Sequence, residues 1–187
     1  MIADPVFLSR KNVEDIHTEQ IALYGGADGL RDTGALDSAL QMPQQGSGDH
    51  YFHEDLFDMA AAYLFHICAN HPYIDGNKRT AAEAADVFLY VNGYDLEMPE
   101  ADFEVLVLGT AQSQFSKKQI AAPAPAFASP PLGPERPANL PNDEPDDAWL
   151  RRSANVQRDG PRAGFLRHTS ASGSRPCCKM RDGLRKG

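Results

Sequence analysis

Cysteine is scarce in this 187-residue chain, long apolar runs are missing, and no stretch alternates polar with apolar residues for the length of a strand. Each absence closes off a class of protein. The three cysteines are Cys68, inside an apolar helical pattern, and the adjacent pair Cys177 and Cys178. None has a partner at zinc-ligand spacing, so neither a disulfide framework nor a structural zinc site is expected. No run approaches the roughly 18 apolar residues of a membrane span. The opening MIADPVFLSRKN has no apolar core of the roughly 7–15 residues that a signal peptide carries. The expectation is a cytoplasmic protein that does not enter a membrane. There is no Walker A glycine–lysine pattern.

Positive charge is also short, but only in the first two thirds. Residues 1–122 hold 7 Lys and Arg against 19 Asp and Glu, a net −12; residues 123–187 hold 11 against 7, a net +4. An acidic body of this kind argues against bulk nucleic-acid binding and favours a basic partner. The basic charges of the second part are scattered rather than clustered. Ten of the 14 prolines also lie there, with only Phe127, Trp149 and Phe165 as aromatics. Such a composition buries too little apolar surface to offset chain entropy. Residues 123–187 therefore read as a disordered Pro/Arg-rich extension, and their Pro/Arg/Ser/Gly bias suggests a foreign piece, read out of frame.

What is present in residues 1–122 is helix. One is expected from about Ser9, a candidate N-cap, to Tyr24, with Val13, Ile16 and Ile21 as its stripe and Gly25-Gly26 as its stop. A short helix follows Asp32 through TGALDSALQ to Pro43. A polar, glycine-containing loop covers about 43–53. The third helix, about Glu54–Asn70, carries Leu56, Met59, Ala60, Tyr63, Leu64 and Ile67 on one face. A fourth, alanine-rich, runs from near Asn77 to Asn92-Gly93; a fifth covers about Glu100–Gln112; a last piece begins at Ser116 and meets Pro123. The fold class is all-α, a compact bundle of about six helices.

Between the third and fourth helices lies HPYIDGNKRTA, residues 71–81. Its centre falls at a helix start, where unpaired N–H groups and the helix dipole favour an anion. Gly76 allows a tight turn and close approach of a ligand to the backbone. Lys78 and Arg79 add positive charge suited to phosphate oxygens. Asp75 offers one hard oxygen, which suits Mg²⁺ sharing its shell with phosphates and water. His71 can take a proton near neutral pH. These are the parts of a phosphoryl or nucleotidyl transfer. Asp-Gly-Asn is also an ordinary turn, and His71-Pro72 an ordinary helix break. An EF-hand is excluded because the alternating upstream ligands and the downstream Glu are missing.

The stretch resembles the signature of the Fic/Doc superfamily, His-x-aromatic-x-Asp-Gly/Ala-Asn-x-Arg, through His71, Tyr73, Asp75, Gly76, Asn77 and Arg79. YGGADGLRDTGALDSAL at 24–40, DLFDMAAAYLFHICANHP and FLYVNGYDL extend the resemblance to the Doc (death-on-curing) toxin branch, over about residues 5–122. In that branch a lysine stands where Lys78 does; the AMP-transferring branch usually has glycine there. The resemblance implies a toxin of a toxin–antitoxin pair, a protein kinase that uses ATP and Mg²⁺ to phosphorylate elongation factor Tu and stop translation. It implies His71 as the base that activates the acceptor hydroxyl, Asp75 as the metal ligand, and Gly76, Asn77, Lys78 and Arg79 as the ATP-phosphate site. Residues 43–53 correspond to its flap, which docks the target by strand addition. Protein AMP-transfer and an inactive binding module stand as alternatives. The family's built-in inhibitory pattern, Ser/Thr-x-x-x-Glu with Gly or Asn, is missing. A separate cognate antitoxin is therefore implied, with nucleic acid reached only indirectly through it.

Elsewhere, His17 and His66 on their helices read as hydrogen-bonded core histidines, and His50 and His53 as solvated loop residues. Arg31 and Asp32 read as structural, pairing with the short helix. The last helix is cut after about two turns, where the family has a longer one.

Overall fold

In the computed structural model, residues 5–48 and 50–130 are described. Their order is α1 (Arg10–Tyr24), α2 (Thr33–Gln41), a 3₁₀ turn (Met42–Gln44), the hairpin β1 (Gly46–Ser47) and β2 (His50–Tyr51), α3 (Leu56–Asn70), α4 (Asn77–Val91), β3 (Asp95–Leu96), α5 (Glu100–Ala111), α6 (Lys117–Ala121), a second 3₁₀ turn (Ala124–Phe127) and β4 (Ala128–Ser129). The expected all-α bundle is present. Side chains start α1, α2 and α3. Ser9 opens α1 in a capping box with Asn12, Asp32 accepts the Ala35 N–H at 3.0 Å, and Asp55 accepts the Asp58 N–H at 2.8 Å. Each satisfies an N–H that the first turn leaves orphaned.

The centre is the pair α3 and α4. Met59, Tyr63, Ile67 and Cys68 of α3 and Ala81, Ala84, Val87 and Phe88 of α4 are buried. The alanines of α4 leave room for its neighbours to lie close on several sides, so this helix is buried over most of its length. Burial pushes the Cys68 thiol up to about 12, which makes it an inert core group. Tyr63 is fully enclosed and its hydroxyl accepts the Leu8 N–H at 3.0 Å. Asn92, at the end of α4, ties down the N-terminal segment by bonds to Val6 N (2.8 Å) and Val6 O (3.0 Å).

Three features differ from the sequence reading. The two strand pairs leave no mark in the sequence, because two residues are too few to show a period. The regular structure also runs past residue 122. Pro123 ends α6, yet the chain turns back, buries Ala124, packs Phe127 on the core and pairs Ala128 with Leu96. Glu97 donates its N–H to the Phe127 carbonyl at 2.8 Å. The reading of residues 131–187 as disordered falls outside the described residues. Third, the buried face of α1 is more polar than the stripe implied: it consists of Asn12, Val13, His17 and Gln20. The reason lies in what α1 packs against.

Candidate active site at the start of helix α4

Helix α3 ends at Asn70, and His71 follows in the left-handed conformation, φ 47° and ψ 55°. A residue with a Cβ sits there at a cost, of order 1–3 kcal/mol. The turn is held from outside. The Pro72 carbonyl accepts the N–H groups of Arg31 (2.7 Å) and Asp32 (3.1 Å), and Ile74 N–H reaches the Gly29 carbonyl at 3.0 Å. Leu30 and Tyr73 thus form an isolated antiparallel bridge. The Arg31 guanidinium donates to the Asn70 carbonyl at 3.2 Å, and the Asn70 amide to the Ala35 carbonyl at 2.9 Å. Arg31 and Asp32 accordingly do have structural roles, one pinning the end of α3 and the other capping α2.

From Tyr73 the chain closes on itself. The Asn77 side chain accepts the Tyr73 N–H and donates to the Tyr73 carbonyl, both at 2.9 Å. Gly76, at φ 77°, precedes α4, and a Cβ there would lie 3.1 Å from Ile21 Cδ1 and 3.5 Å from the His17 ring. Both the backbone angle and the space call for glycine. Among the described residues no side chain caps α4. Its first intrahelical bond is from Thr80 N–H to the Gly76 carbonyl at 2.9 Å. The N–H groups of Asn77, Lys78 and Arg79 therefore precede the ladder, at the positive end of the dipole.

The charged side chains divide into two sets. Asp75 is exposed, with Oδ1 accepting the Gly76 N–H at 2.6 Å. A Cβ on Gly26 would fall 2.5 Å from its Oδ2 and 3.2 Å from an Arg79 nitrogen. Lys78 is half-buried and makes no hydrogen bond or ion pair among the described residues. His71 is exposed. These side chains face outward or stay uncommitted. Asn77 and Arg79 do not. Arg79 is 2% exposed and donates to the carbonyls of Gln20 (3.2 Å) and Gly25 (2.9 Å), with its guanidinium 5.9 Å over the Tyr24 ring. It closes the C-terminal end of α1, where a cation meets the negative end of the dipole. Burial lowers its pKa, while Asp75 and Tyr24 oppose that shift.

Thus the structure gathers His71, Asp75, Gly76, Asn77, Lys78 and Arg79 into one turn and helix start, but spends one amide N–H and the amide oxygen of Asn77 and two guanidinium donors of Arg79 on the protein itself. His17 is a core histidine as expected, hydrogen-bonded from Nε2 to the Asp75 carbonyl at 3.0 Å. Its partner lies 58 residues away, so no local pattern could reveal it. Gly26 is more than a helix stop. Its φ of 125° and the close approach of Asp75 are what the glycine serves. His66 departs from expectation: its Nε2 is buried without a hydrogen-bond partner among the described residues. Burial first, then the charges of Lys117 and His53, push this imidazole down to about 4.

A model of the Fic/DOC family matches residues 7–89, which include the whole signature turn. Toxin Doc of Mycolicibacterium smegmatis (strain ATCC 700084 / mc(2)155) is 42% identical over 92 residues, 49% of this chain and 68% of that protein. This chain belongs to the Fic/Doc family, Doc branch. Protein kinase doc of Escherichia phage P1 is 32% identical over 116 residues, 61% of this chain and 89% of that one. The Fic/Doc match thus spans α1 to α4 and the loops that hold the turn.

Among the described residues no group of three or more His, Cys, Asp or Glu could hold a metal by itself. The donor set at the turn is one exposed carboxylate, Asp75, which fits a hard cation that takes its other ligands from phosphates and water. Among the described residues no helix is long and apolar enough to cross a membrane.

Proposed function

We propose that this chain is the toxin of a toxin–antitoxin pair and transfers the γ-phosphate of ATP to a hydroxyl of a translation factor of the elongation-factor-Tu type. The observation that carries this reading is Lys78, an uncommitted cation in the first turn of α4 beside N–H groups that no side chain caps. The names of the two relatives, a toxin and a protein kinase, support it. The cytoplasm is where such a target is met, and a separate antitoxin is the expected partner.

In this reading the amides of residues 77–79 and the Lys78 ammonium bind phosphate oxygens, with the backbone at Gly76 close enough for contact. Asn77 and Arg79 act behind them: Asn77 closes the loop, and Arg79 anchors it to α1 while lending positive charge from below. Asp75 would hold Mg²⁺, which supplies charge neutralisation of the phosphates when bound. His71 takes the proton of the acceptor hydroxyl as its oxygen bonds to the γ-phosphorus, and the bond from that phosphorus to the bridging oxygen breaks to release ADP. The strained backbone of His71 aims the imidazole outward, where a protein substrate can reach it.

The test is transfer from γ-labelled and α-labelled ATP to purified elongation factor, with His71→Ala alongside. Label from γ alone, lost in the variant, is expected. Label from α alone would make the protein an AMP-transferase, and nucleotide binding with no transfer would make it a binding module.

A further inference from the structure

We propose that His17 is a positioning residue for the turn at 73–76, holding the Asp75–Gly76 peptide in the one orientation that presents both the Asp75 carboxylate and the open end of α4. The link to catalysis rests on the kinase reading above; the physical claim about the loop does not.

Five observations on one side chain carry this. His17 is 2% exposed, on the face of α1 turned to the turn. Its Nε2 lies 3.0 Å from the Asp75 carbonyl. A carbonyl only accepts, so this nitrogen carries the proton and donates. The ring lies on that of Tyr73 with centroids 3.8 Å apart and planes 5° from parallel. Its Cδ2 and Nε2 come within 3.5 Å of where a Cβ on Gly76 would stand. On the far side, Nδ1 is 3.6 Å from the Asp28 carboxylate, whose side chain is 68% exposed. An ordinary core histidine needs one hydrogen bond and apolar neighbours. Here the ring stacks on Tyr73, bonds the Asp75 carbonyl and fills the space a Cβ on Gly76 would face.

The consequence follows from peptide geometry. The carbonyl of Asp75 and the N–H of Gly76 belong to one planar unit. Holding the carbonyl toward His17 turns the N–H the other way, onto Asp75 Oδ1 at 2.6 Å. One donor on α1 thereby sets the carboxylate as well as the peptide that leads into α4. Without it the carbonyl loses its partner, and the peptide is free to rotate toward water. A misplaced cradle weakens nucleotide binding as well as the chemical step.

Three variants separate donor from bulk. His17→Gln keeps an amide nitrogen near the place of Nε2. His17→Phe keeps a flat ring on Tyr73 but has no donor. His17→Asn has a donor too short to reach. The measurements, on the full chain, are amide exchange of residues 73–79, melting temperature, and KM for ATP with kcat in the presence of Mg²⁺. We expect exchange of the Gly76 region to rise about tenfold in Phe and Asn and to stay near wild type in Gln, and KM for ATP to follow the same order. A mere fall in the folded fraction lowers kcat and leaves KM alone, so the KM change marks positioning. Unchanged exchange in the Phe variant overturns the proposal. If Phe does not fold, equal exchange in Gln and Asn overturns it. Should the wild type transfer no γ-phosphate, the kinase reading falls, and the exchange comparison still decides the role of His17.

Discussion

Single residues in the turn hold conformations and contacts that other side chains would not tolerate, and each makes a prediction. Gly26 stands against Asp75 and Arg79 at φ 125°. Gly26→Ala places a methyl on the Asp75 carboxylate and strains the backbone. We expect a loss of about 1–3 kcal/mol in denaturant unfolding, with a weaker Mg²⁺ dependence of nucleotide binding measured by titration. His71 is in the left-handed region at φ 47°. His71→Gly removes that strain, so it should unfold at equal or higher denaturant, by up to about 1 kcal/mol, while phosphate transfer disappears. Stability lost at that position together with activity would contradict a strained catalytic base. His66 makes a pH prediction. Its imidazole titrates near 6.5 when unfolded and about 4 when folded. The unfolded chain therefore binds the extra proton between those values, and stability falls as pH drops from about 6.5 toward 4. The effect is of order 1–2 kcal/mol after allowance for solvent at this partly exposed site. His66→Phe should flatten the denaturation midpoint across pH 6.5–5, above the range where the carboxylates titrate.

Elements show where sequence reasoning succeeds. The apolar face of α3 and the cap at Ser9 are legible because the signal is local, set by spacing within one or two turns. The signature turn is legible because its chemistry is crowded into residues 71–79. What is not legible depends on partners far along the chain: the bond from His17 to Asp75, the bonds from Arg79 to the end of α1, and the pairing of Asp95–Leu96 with Ala128–Ser129. The polar inner face of α1 belongs with these. It reads as a weak apolar stripe in isolation and makes sense only once the backbone of residues 73–76 lies against it. The return of residues 123–129 is likewise hidden behind the prolines that end α6. It predicts that a chain ended at Ala122 melts several degrees below one ended at Pro130, since the shorter chain loses the β3–β4 pair and the packing of Phe127. Equal melting temperatures would show that the return contributes nothing to the bundle.

At the scale of the whole molecule, the bundle places an anion-binding helix start, a carboxylate and a base in one turn, and ties that turn to α1, α2 and the segment between them. The body around it is acidic. Lys78 is thus a local positive centre in a negative surround, which favours a bound anion at this turn over general attraction of nucleic acid. Lys78→Gly should lower γ-phosphate transfer at least tenfold and weaken nucleotide binding, with the fold intact by its melting curve. The most direct test of the central claim is transfer of label from γ- and α-labelled ATP to elongation factor by the wild type and by His71→Ala, side by side. Label carried only from the γ position, and absent in the variant, is the predicted result. Label carried from the α position, or undiminished transfer by His71→Ala, would contradict it.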